Sequence, residues 1–139
     1  MDLTATLDAP YPPEAVFPWV AELDRYPAWL DIVPRAVVEG EDVWLVWLRA
    51  RLGPLARSKR LRMRRVTHHP ARAVRFEREE TDGRDHSAWV LDATLDPTAD
   101  GTRLTVRLHY DGGLLGPLVE HLLTDEVERS RQRLLTCLE

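Results

Sequence analysis

The sequence predicts an α+β domain: a strand, two short helices, about six further strands in an antiparallel meander, and a long C-terminal helix that covers the sheet. Three observations predict it. Between Ala36 and Tyr110, apolar-alternating segments are separated by turn signals at nearly even spacing. Leu118 to Leu138 is strongly amphipathic at helical period. The chain of 139 residues suits one compact domain, 1–139, able to bury about two thirds of its unfolded surface.

The elements follow in order. Leu3 to Leu7 alternates at period two and reads as a strand ending at "DAPYPP". Glu14 to Asp24 follows a Pro-Pro pair suited to a helix start, with Val16, Val20 and Leu23 at helical spacing. Pro18 removes a backbone bond there, so a short or kinked helix is expected. "DRYPAWLDIVP" offers Tyr26, Trp29, Leu30 and Val33 in a second short helical turn bounded by Pro27 and Pro34. The turns "EGED", "LGPLA", "HHPAR", "TDGRD" and "PTADGT" divide the strands, and "DGGLLGP" closes the meander. In the last helix Val119, Leu122, Leu123, Val127, Leu134, Leu135 and Leu138 make an apolar stripe, opposite a charged face that includes Glu126. A sheet with one apolar face needs a cover, and only this helix is long enough.

Composition excludes several functions. Lys and Arg number 19 against 23 Asp and Glu, a net charge of −4 that is the wrong sign for neutralising a phosphate backbone. The exception is local: "RSKRLRMRRV" (Arg57 to Val66) holds six cations in ten residues. As a strand it turns Lys59, Leu61, Met63 and Arg65 inward and leaves Arg60, Arg62 and Arg64 to solvent, where the next strand sets Glu77 and Glu79 beside them. A salt-bridged sheet face, not a nucleic-acid partner, is expected. One cysteine, Cys137, permits no internal disulfide. The N-terminus lacks a signal-like pattern, and nothing approaches the run of about 18 apolar residues that spans a bilayer. A cytoplasmic protein without stable membrane insertion is expected.

The five histidines show no HxH, HxxxH or HExxH spacing, so no metal site and no cofactor is assigned. His86 stands beside Asp85, but neighbouring strand residues face opposite ways, and no catalytic residue is assigned from this pair. Trp44, Phe76, Trp89 and Tyr110 fall in phase with Val46, Leu48, Val74, Leu91 and Leu108, on the face beneath the helix. Aromatics there serve a core as readily as a pocket. Arg78 continues the inward phase of Val74 and Phe76. It either pairs with a carboxylate such as Glu80 or Asp31 at the rim or anchors a ligand oxygen.

"PPEAVFPWVAELDRYPAWLDIV" (Pro12 to Val33), "GTRLTVRLHY" (Gly101 to Tyr110) and "LLGPLVEHLLTDEVERSRQRLLTCL" (Leu114 to Leu138) resemble the opening helix pair, a strand and the closing helix of the START-like superfamily. That superfamily includes the polyketide cyclase/dehydrase and lipid-transport proteins. The resemblance spans nearly the whole chain and implies a helix-grip fold, with the sheet curved around the last helix over an apolar cavity. The expected function is binding of a small apolar molecule (lipid, polyketide, quinone or similar) as carrier or sensor. The expected lining is Trp29, Trp44, Val46, Met63, Phe76, Arg78, Trp89 and Tyr110 with Leu118 and Leu122 of the last helix. Two alternatives stand beside it: a polyketide-cyclase-like enzyme with Arg78 and Tyr110 assisting proton transfer, and an interaction module with a filled core. A homodimer is compatible with each.

Overall fold

The computed structural model describes residues 2–52, 54–111 and 118–139, without the side chains of 51, 52, 55 and 118–124. Leu118, Leu122 and nearly all of "DGGLLGP" therefore lie outside the described residues or their side chains.

Seven strands form one antiparallel sheet: β1 (Asp2–Ala9), β2 (Arg35–Gly40), β3 (Val43–Leu52), β4 (Leu55–His69), β5 (Ala73–Arg78), β6 (Trp89–Thr98) and β7 (Gly101–Tyr110). Their spatial order is β1-β7-β6-β5-β4-β3-β2, so the meander runs from β2 to β7 and β1 returns to pair beside β7. With α1 (Pro13–Ala21), a 3-10 segment (Leu23–Ala28) and α2 (Leu118–Leu138), this is the helix-grip α+β architecture that the sequence predicts.

The described turns sit at the expected signals, and two of them hold non-glycine residues in the left-handed region, Asp42 (φ 57°) before β3 and Ala71 (φ 62°) before β5. The helical corner is shorter than the periodicity suggests. α1 carries Pro18 inside it and stops at Ala21, after which Glu22 is extended. Pro18 has no N–H to offer the Glu14 carbonyl, which weakens a helix of only nine residues. The second helical turn begins at Leu23, earlier than expected, and winds as a 3-10 helix containing Pro27. Tyr26 is buried within it and its hydroxyl donates to the Val20 carbonyl at 2.9 Å, tying the two short helices together.

The face predictions hold for β4. Leu61 and Met63 are buried, while Arg60 and Arg64 are exposed. Of the expected acidic partners, Glu79 pairs with Arg64 at 3.0 Å and lies 4.0 Å from Arg62, and Glu77 stands opposite Arg64 in register but pairs with Arg75 of its own strand at 3.1 Å. Arg62, expected in solvent, is only 17% exposed and takes a further partner, Glu39 on β2, at 3.0 Å. Inward-facing Arg65 is only 10% exposed, and its charge is met by Asp42, Glu22 and the Ala21 carbonyl, so it fastens the end of α1 to the sheet. A bulge between Arg65 and Thr67 then shifts the register of β4 against β5.

Candidate functional site

α1 and the 3-10 segment cover one end of the sheet's inner face, and α2 crosses near β1 and the 3-10 segment. Between these covers lies a cavity of about 410 Å³. Cross-strand pairs pave its floor: Leu3 beside Leu108, Ala5 beside Val106, Leu7 beside Leu104, Val46 beside Leu61, and Trp89 beside Tyr110. Tyr26, Trp29, Ile32 and Val33 form an end wall, and Glu126, Val127, Ser130 and Leu134 of α2 form the roof. Exposed or half-exposed Thr4, Thr6, Ala50, Arg57, Glu128 and Arg131 mark the mouth. Such a cavity, mostly apolar with a few polar groups, suits a small apolar molecule in shape and chemistry.

Five of the predicted lining residues meet here: Trp29, Val46, Met63, Trp89 and Tyr110. Trp29 is held by donation from Nε1 to the Trp19 carbonyl at 3.0 Å and lies against Tyr26, ring centroids 4.7 Å apart. Burial drives the Tyr26 hydroxyl far above its ordinary pKa, leaving it a neutral donor at physiological pH. Trp89 stacks on Tyr110 at 4.8 Å. Its Nε1 is buried with no acceptor among the described residues, an omission that costs about 1–3 kcal/mol. Lys59 lies 5.9 Å above the Trp89 ring, and burial, assisted by nearby Arg78, lowers its ammonium pKa.

Three predicted residues do not line the cavity. Trp44 donates from Nε1 to Asp24 at 2.9 Å, has Arg65 over its ring, and meets Phe76 edge-on at 5.5 Å. Both rings share the inner face but belong to solid core, 2% and 0% exposed. Arg78 is buried as its phase predicts, yet its guanidinium is taken up locally. It donates to Glu80 at 3.0 Å, to the Ser87 carbonyl and hydroxyl at 3.2 and 3.3 Å, and lies 3.2 Å from His86 Nδ1. The Glu80 pairing is the rim alternative, and nothing of Arg78 reaches the cavity lining. Leu118 and Leu122 fall outside the described side chains.

His86 engages Asp82 at 2.9 Å and not its neighbour Asp85, while His109 points outward between Asp2 and Asp111.

Sequence reasoning missed Glu126 and Ser130. Glu126 is 6% exposed, accepts from the Ile32 N–H at 3.1 Å and pairs with Arg129 at 2.8 Å. Ser130 donates to the Val127 carbonyl at 2.7 Å. The signal was present: residues 126, 130 and 134 recur every four positions and so share a face with buried Leu134. The same loop of Ile32 is bound to α2 again by the Asp31–Arg133 ion pair.

The model of the family described as polyketide cyclase/dehydrase and lipid transport matches residues 1–139. No curated protein matches the chain in sequence. Solved structures are similar in fold. A START superfamily protein from Mycobacterium smegmatis superposes with a TM-score of 0.73 at 14% identity, covering 99% of this chain and 96% of that one. The protein TTHA0849 from Thermus thermophilus gives 0.71 at 21% identity, covering 99% and 97%. The di-domain ARO/CYC StfQ from the steffimycin biosynthetic pathway gives 0.68 at 13% identity, covering 97% of this chain and 49% of that one. At these identities the likeness is one of fold.

Proposed function

Because the chain belongs to the polyketide cyclase/dehydrase and lipid-transport family, we propose that its cavity binds a small apolar molecule and that the protein works as a cytoplasmic carrier or sensor. The observation that carries this reading is the cavity of about 410 Å³ beneath α2, floored by aliphatic and aromatic pairs. Its volume falls in the range typical of small-molecule pockets and counts against a module with a filled core. Removing apolar surface from water at roughly 25 cal/mol per Å² supplies the affinity without any covalent step. For the enzyme alternative, Tyr110 lines the cavity whereas Arg78, engaged by Glu80 and Ser87, is not among the lining residues, which favours the binding reading. Native mass spectrometry of the purified protein should find a co-purified apolar molecule. Titrating the neutral fluorophore N-phenyl-1-naphthylamine should quench tryptophan emission, because Trp29 and Trp89 line the cavity. Absence of both signals would refute the reading.

A further inference from the structure

We infer that the cavity selects a neutral apolar molecule bearing a hydroxyl, an alcohol or phenol as opposed to a carboxylic acid, and that Glu126 receives the hydroxyl. This rests on the binding function proposed above and adds the head-group chemistry. Glu126 is a buried carboxylate in a wall otherwise built mostly of aliphatic and aromatic side chains. Among the described residues each of its oxygens has one protein donor, Oε1 from the Ile32 N–H and Oε2 from Arg129. A carboxylate accepts along about four lone-pair directions, so acceptor capacity is left over. Ser130, one turn further along α2 on the same wall, has committed its hydrogen to the Val127 carbonyl at 2.7 Å and can offer the cavity only lone pairs. Both of these polar groups in the roof therefore call for a donor.

A ligand carboxylate would bring only acceptors and a second negative charge toward Glu126. An ether or ester would bring no donor, leaving the acceptors unmet. A hydroxyl supplies the missing proton. The cations of the lining do not reverse this sign. Arg57 is exposed at the mouth, and Arg131 is taken up by the Thr6 carbonyl at 2.8 Å and by Glu128 at 2.6 Å. Arg129, although paired with Glu126, has a side chain 60% exposed, where water screens it.

The test displaces N-phenyl-1-naphthylamine with 1-decanol, decanoate and decyl methyl ether, three probes sharing one chain. Wild type should respond to decanol at about tenfold lower concentration than to either of the others, the ratio expected of one hydrogen bond to a charged group. Glu126→Gln keeps a carbonyl for the Ile32 N–H and removes the charge, so decanoate should gain on decanol by about tenfold. A merely structural Glu126 would weaken all three probes alike, and that result overturns the inference, as does a wild type that prefers decanoate or treats the three equally. Should Glu126→Gln fail to fold, Glu126→Asp decides instead: it keeps the charge but withdraws the carboxylate by one methylene, so the decanol-to-ether ratio should narrow, and an unchanged ratio counts against the inference. A wild type that does not bind the fluorophore brings down the binding function itself, whereas a bound fluorophore with flat ratios brings down only the hydroxyl preference.

Discussion

Arg78 shows how far a single residue can be followed from the sequence. Period two from Val74 and Phe76 puts it on the inner side, and the side chain is indeed only 7% exposed. Periodicity gives the side of the sheet and not what meets the end of a long side chain. Here the β5–β6 connection folds back so that Glu80, Ser87 and His86 surround the guanidinium before it can reach the cavity. Removing it leaves Glu80, 18% exposed, with the Arg62 N–H as its other partner. Arg78→Met should therefore cost about 2–3 kcal/mol of stability, read by urea unfolding, as expected when one partner of a largely buried pair is lost. The same variant should bind decanoate and methyl decanoate in the wild-type ratio. A selective loss of decanoate with stability intact would restore Arg78 as a ligand anchor. Glu126 is the converse case: its charge suggests the solvated face of α2, and only its spacing from Ser130 and Leu134 reveals burial.

At the scale of elements, alternation and turn chemistry were enough to order the meander from β2 to β7, but not to seat β1 beside β7. β4 is the clearest example, because Leu61 and Met63 fix which face is inside and the cations on the other side need no ligand to explain them. The bulge at Arg65–Thr67 was not legible, since an extra residue in one strand is defined by its partner's register and leaves no mark on its own alternation. The 3-10 winding of Leu23–Ala28 was hidden for a similar reason: it is fixed by packing of Tyr26 and Trp29 against α1. Where β7 begins, a backbone constraint appears that the turn "PTADGT" only partly signals. A Cβ on Gly101 would lie 2.1 Å from the Ala9 carbonyl oxygen and 2.8 Å from the Tyr11 nitrogen, both backbone atoms. Thr102 beside it is fully buried and donates to the Tyr11 carbonyl at 2.7 Å, so the β1 exit cannot easily retreat. Gly101→Ala should destabilise the fold by about 1–3 kcal/mol, the usual cost of overpacking, measured as a drop in urea midpoint at unchanged slope. A midpoint equal to wild type would mean that this junction is looser than the contact implies.

For the whole molecule, which face of each strand is inner follows from the sequence, but whether the layers above that face touch it does not. Trp44 and Val46 are two residues apart on β3 and both face inward, yet Trp44 is fixed by Asp24 in the solid core while Val46 lines open space. The difference is set by where the short helices stop and where α2 crosses, a matter of three-dimensional closure that no local period encodes. Val106 offers a direct test of that open space. It lines the cavity, and its cross-strand neighbours Ala5 and Ala93 are both small, so a larger side chain there can extend away from the sheet into the cavity. Val106→Phe should leave stability within about 1 kcal/mol of wild type, because the ring occupies space that is already available and buries added apolar surface. It should at the same time weaken binding of N-phenyl-1-naphthylamine by about tenfold or more, since ring and ligand compete for one volume. Urea unfolding and a fluorescence titration of the same preparation read the two quantities side by side. A loss of about 1–3 kcal/mol with fluorophore affinity unchanged would mean that the site at Val106 is filled and that the ligand binds elsewhere.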